Sequence, residues 1–101
     1  MLTINKTADG EVTVCLDGRL DIDSAEQLET ELRKALKKTK LLVFDLQNLK
    51  YISSAGLRVL LSAQKRMNMQ GRMRLVNVGD TIMQTLERRG LDDIFNIAAP
   101  D

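Results

Sequence analysis

At 101 residues, 44% of them hydrophobic and 29% charged, the chain has the size and apolar content of one small globular domain, and a single domain over residues 1–101 is expected. Lys plus Arg number 15 against 14 Asp plus Glu, a formal charge of +1, so neither a basic nucleic-acid footprint nor an acidic tail follows. There is no His, no Trp, one Cys and only 3% aromatics, which excludes His-based triads, imidazole and cysteine metal sites and internal disulfides, and speaks against an aromatic base-stacking platform.

The elements begin with two strands. Leu2 and Ile4 alternate with Thr3 and Asn5, and Val12, Val14 and Leu16 alternate with Thr13 and Cys15. Asp9-Gly10 between them suits a hairpin turn, and Asp17-Gly18 predicts the next exit from the sheet. A helix follows, capped by Asp23 or Ser24, with Ala25, Leu28, Leu32, Ala35 and Leu36 on one face. Its acids Glu26, Glu29 and Glu31 come early and Lys37 and Lys38 late, as the helix dipole favours.

The continuous apolar run Leu41-Leu42-Val43-Phe44, ending at Asp45-Leu46, predicts a strand covered on both sides. A second helix is expected from about Ala55 to Met69, stopped by Gly71, and then a strand through Met73 and Leu75. Asp80 caps a third helix through Ile82, Met83 and Leu86, which Gly90 ends in the left-handed conformation. Ile94, Phe95 and Ile97 predict a final short strand. The order is ββαβαβαβ, a small α/β sandwich whose mixed sheet has a leading hairpin and parallel crossovers.

No linker, repeat or low-complexity stretch interrupts this pattern, and no apolar run approaches the ~20 residues of a membrane span. The first residues lack the basic-then-apolar pattern of a secretory signal, and a lone thiol suits a reducing compartment, so a cytoplasmic location is expected.

Candidate chemistry is sparse. Cys15 lies mid-strand without a His partner and reads as a small hydrophobe. Asp17, Asp21 and Asp23 offer oxygen ligands for a cation, or else turn and capping chemistry; Asp21 is the one that a strand end would turn toward a site. Glycine-rich nucleotide loops are absent, and Arg72, Arg74, Arg88 and Arg89 read as solvated surface. The most informative stretch is Asn48 to Leu61, where a loop turns into a helix behind two serines. Ser53 or Ser54 can cap that helix, and an exposed serine there can equally accept a phosphate, which the helix dipole favours.

These residues resemble the STAS domain family, in particular the bacterial anti-sigma factor antagonists. The resemblance rests on Val43-Phe44-Asp45-Leu46, Tyr51-Ile52 and Ser53-Ser54-Ala55-Gly56-Leu57. Gly18-Arg19-Leu20-Asp21 and Arg89-Gly90-Leu91-Asp92-Asp93-Ile94-Phe95 extend it over nearly the whole chain.

The resemblance implies that Ser54 is the phosphorylated serine, with Ser53 the second candidate, and that Asp21 lies near it. Ser53 stands where the family often has Asp. It implies a non-enzymatic protein that, unphosphorylated, binds an anti-sigma factor serine kinase and so frees a sigma factor. Phosphorylation by that kinase would release it, and a metal-dependent serine phosphatase would restore it. ATP and metal would belong to those partners, leaving this chain without cofactor or metal, monomeric, and without nucleic-acid contact or membrane insertion. The alternative role is a STAS subunit scaffolding a membrane-associated transport or sensory complex.

At about 100° per residue, Leu57, Leu60, Leu61 and Gln64 share one side of the second helix. Val59 then projects oppositely, near Ala55, Ser62 and Arg66, and an outward valine there would provide a docking surface. The expected partner-binding set is Asp21, Ser53, Ser54, Ala55, Val59 and Ser62.

Overall fold

In a computed structural model, residues 2–6 and 10–98 are described, and Asp9 of the expected hairpin turn lies outside them. Gly10 has φ +76°, the left-handed conformation expected of a turn glycine. The elements are β1 (Leu2–Lys6), β2 (Glu11–Leu20), α1 (Ile22–Ala35), β3 (Leu41–Ile52), α2 (Ser54–Gln70), β4 (Arg72–Val76) and α3 (Asp80–Arg88). β1 pairs antiparallel with β2, while β2, β3 and β4 run parallel in the order β1-β2-β3-β4. Parallel neighbours need a long crossover, and α1 and α2 supply the two.

The register puts one set of side chains on a common face. Val12 opposes Leu42, which opposes Met73; Val14 opposes Phe44, which opposes Leu75. All six are buried, and Leu28, Leu32 and Leu36 and Leu57, Leu60 and Met67 complete the core with them. The alternate residues Thr13, Cys15, Val43 and Asp45 are only half-buried, and Arg72 and Arg74 are exposed. β3 is therefore not covered on both sides, as its apolar run had suggested. Its continuous apolarity reflects a closed face plus a half-open one.

Two strands run further than their side chains advertise. β2 passes through Asp17-Gly18 to Leu20, because two register shifts against β3 absorb the polar residues, with Gly18 at φ +76°. β3 continues past Leu46 to Ile52 alongside it. The last predicted strand is the converse. Only Ile97 makes a bridge, to Leu75, after the turns that precede Phe95.

Gly71 marks a close approach of backbone to backbone. The Arg72 amide donates to the Lys40 carbonyl at 2.8 Å, and a Cβ on Gly71 would lie 2.0 Å from that same oxygen. The glycine that closes α2 is thus required by the strand beside it.

Candidate functional site

The site is built where β2 and β3 end. In open α/β sheets the carboxyl ends of parallel strands are where loops and helix starts converge. Leu20 and Ile52 are register partners, and the Ser53 amide donates to the Leu20 carbonyl at 2.9 Å. α1 and α2 therefore begin side by side. Gly56 permits this, since a Cβ there would come within 2.8 Å of the Leu20 side chain and 3.0 Å of Ile52.

Asp21 caps α1, in place of the expected Asp23 or Ser24. The Ser24 amide donates to Asp21 Oδ1 at 3.1 Å, and the Asp21 amide donates to Ser24 Oγ at 2.9 Å, a reciprocal capping box. The helix starts two to three residues earlier than expected, directly after β2, which runs on to Leu20. The Ser24 amide, then the Ser24 hydroxyl, then the Arg19 charge hold the Asp21 carboxyl below the ordinary carboxylate range.

A depressed carboxyl contributes stability above its unfolded pKa, and that contribution is lost as pH falls through the folded value. Asn caps helices about as well as Asp but does not titrate. Asp21→Asn is therefore expected to lose less stability than wild type on acidification from about pH 6 to about pH 2. Urea midpoints measured across that range check this, and parallel curves would count against the capping assignment.

The two adjacent serines have different employment. Ser53 is the N-cap of α2, half-buried, with Oγ accepting from the Gly56 amide at 3.1 Å. Ser54 is the first helical residue and is exposed. Its Oγ accepts a hydrogen bond from Arg89 Nη2 at 3.0 Å, across 35 residues of sequence. Arg89 stands at the C-cap of α3, which packs against β3. Gly90 follows at φ +68°, and the Leu91 amide donates to the Leu86 carbonyl at 2.8 Å, so the expected left-handed stop fixes the backbone beside Arg89.

Asp21, Ser53, Ser54 and the half-buried Ala55 are brought to this end of the sheet; Val59 and Ser62 are not. Val59 is buried at 6% exposure, which corrects the outward docking valine. α2 is covered on two sides, by the sheet and by α1, and Val59 faces a groove shared with Leu32 of α1 and Leu36 at its C-cap. Ser62 is exposed on the rim of that groove, about 12 Å along the helix from Ser54 at 1.5 Å per residue.

Sequence reasoning missed two exposed apolar residues at this end. Ile22 opens α1 at 71% exposure, and Tyr51 near the end of β3 is 42% exposed with the Arg19 guanidinium 4.3 Å above its ring. The signal for Ile22 was available in its spacing, one position out of phase with the Ala25-Leu28-Leu32 stripe.

Elsewhere the chemistry is quiet. Burial first, then the charges of Asp45 and Asp17, push the Cys15 thiol up, which disfavours the reactive thiolate. Asp17, Asp21 and Asp23 do not gather into a metal-holding group among the described residues. No helix of the described residues is long and apolar enough to cross a membrane.

Comparison with known proteins adds the family. The family model of the STAS domain matches residues 3–99. A curated relative from Bordetella bronchiseptica, named "Putative anti-sigma factor antagonist BtrV", is 39% identical over 99 residues, covering 96% of this chain and 84% of the relative. An anti-sigma factor antagonist from Mycobacterium paratuberculosis superposes with a TM-score of 0.86 at 22% identity, over 99% of this chain and 86% of that one. The unphosphorylated antagonist SpoIIAA superposes with a TM-score of 0.80 at 18% identity, over 100% and 90%. Bacillus SpoIIAA in its phosphorylated form gives 0.78 at 20% identity, over 98% and 92%. The family model matched over nearly the full length and the 39% identical relative agree: the chain belongs to the STAS domain family.

Proposed function

We propose that the protein is an anti-sigma factor antagonist, a non-enzymatic binding module switched by phosphate on Ser54. The observation that carries the reading is the division between the two serines. Ser53 holds its hydroxyl on the Gly56 amide, whereas Ser54 presents its hydroxyl in the open, one residue further into the first turn of α2. The relative named as an antagonist supports the partner class.

In this reading the unmodified protein docks an anti-sigma factor serine kinase with the end of the sheet that carries Asp21, Ile22 and Ser54. The bound kinase releases its sigma factor. It then transfers phosphate to Ser54, and a metal-dependent serine phosphatase removes it. The module acts as a cytoplasmic monomer and needs no cofactor of its own. A phosphate carries about −1.5 to −2 charges at neutral pH. Added to a chain of formal charge +1, it takes the net charge only to about −0.5 to −1, so release is a local event at the docking face. Asp21 at the start of the neighbouring helix adds to that repulsion.

Phosphopeptide mapping after incubation with the partner kinase and ATP tests the reading. Phosphate is expected on Ser54; Ser54→Ala abolishes incorporation while still binding the kinase. Ser53→Ala retains incorporation at a stability cost of about 1 kcal/mol for the lost cap. Phosphate found mainly on Ser53, or undiminished incorporation in Ser54→Ala, overturns the assignment.

A further inference from the structure

The contact that Arg89 makes with Ser54 is unusual in kind. An exposed arginine ordinarily stands in water or on a carboxylate, and a lone hydroxyl is a modest partner for it. Here the guanidinium makes no ion pair among the described residues, and its hydrogen bond goes to Ser54 Oγ at 3.0 Å. The backbone behind it is fixed by the Gly90 stop and the Leu91-to-Leu86 hydrogen bond. A strongly acceptor-hungry fork is held on the very oxygen that would carry the phosphoryl group.

We propose that Arg89 is the receptor for the phosphate on Ser54, a positioning residue that pairs with the phosphoserine once it forms. This rests on Ser54 being the acceptor. Esterification leaves Oγ in place and adds three strong acceptor oxygens around it, within reach of the guanidinium without backbone movement. The neutral hydrogen bond becomes a charge-assisted one, with bidentate geometry available to the planar fork. The end of α3 is thereby tied to the start of α2, and the phosphate is directed toward Arg89.

The charged side chains of the neighbouring segments include Arg19, stacked on Tyr51, and Lys50 at the ends of β2 and β3, Asp21 and Asp23 of the α1 start, Arg58 one turn along α2, Arg88, and Asp92 and Asp93 beyond Gly90. None of them hydrogen-bonds Ser54. Arg89 alone is in place.

The test uses the full chain with phosphoserine installed at position 54 during translation, so that it does not depend on any kinase. Phosphorus NMR follows the second ionisation of the phosphate, ordinarily near about pH 6. A cation within hydrogen-bond reach lowers it, so the midpoint is expected about half a unit or more below that of the Arg89→Ala phosphoprotein. Arg89→Lys restores part of the shift, since it keeps the charge without the fork. Thermal midpoints supply a second readout: phosphorylation raises the midpoint in wild type and not in Arg89→Ala. The unmodified Arg89→Ala chain melts with wild type, because Arg89 is exposed.

Equal phosphate midpoints in wild type and Arg89→Ala overturn the proposal. A kinase that fails to modify Ser54 overturns the functional reading instead and leaves the titration result as it stands.

Discussion

Val59→Asp is expected to unfold the domain. The valine is 6% exposed between α1 and α2, and an aspartate there would set a charge against Leu32, Leu36 and Ala63, in a groove that Glu29, Arg33 and Arg66 also line, while removing the packing of two methyl groups. A loss of about 4 kcal/mol or more follows, a large share of the roughly 5–15 kcal/mol by which small domains are stable. Chemical denaturation followed by circular dichroism reads the effect directly. Ser62→Asp is the control. Ser62 is exposed less than one turn further along the same helix, and its substitution is expected to move stability by no more than about 0.5 kcal/mol. Wild-type stability in Val59→Asp would contradict the placement of α1 against this side of α2.

The second large effect is expected on binding alone. Ile22→Asp replaces an isoleucine that is 71% exposed at the first position of α1. Folding loses little, because an acid in the first turn complements the helix dipole and the isoleucine contributes little to the core. On the proposed function, in which the start of α1 docks an anti-sigma factor kinase, the substitution would remove an apolar contact from that interface and bury a charge in it. A central interface residue costs about 2 kcal/mol or more when removed, so affinity is expected to fall roughly 30-fold or further. Titration calorimetry with the partner kinase measures this, beside a thermal melt of the free variant. Unchanged affinity would move the docking face away from the start of α1.

Much of the fold was legible because local signals and tertiary packing agree. The Ala25-Leu28-Leu32-Ala35-Leu36 stripe predicted by spacing is buried in full, and Gly90 takes the left-handed conformation that its place after α3 called for. Legibility failed where a neighbour decides. The burial of Val59 depends on α1 lying beside α2, and nothing within α2 announces it, since the small residues around Val59 fit an open face as well as a close helix contact. The extents of β2 and β3 depend on backbone bonds between them, which polar side chains such as Asp17 and Asn48 do not forbid. The serine pair was visible as a pair, but its division into cap and exposed hydroxyl turns on which one accepts from Gly56. The Arg89 contact is farther still from local inference, spanning 35 residues between two helix ends.

The segment around Ile97, which falls short of a strand, has a consequence for solubility. A sheet edge is a row of unpaired amides and carbonyls that can recruit another chain. β4 is such an edge by topology, yet the Leu75 amide donates to the Asn96 carbonyl and the Ala98 amide donates to the Leu75 carbonyl, both at 2.9 Å. At Leu75 the edge is therefore already spoken for by the protein's own chain. The opposite edge is β1, only 5 residues long and so a poor template for growth. Deleting the residues around Ile97 would uncover β4 and invite edge-to-edge aggregation, while the intact chain meets its neighbours with both edges guarded, one by a bridge and the other by brevity.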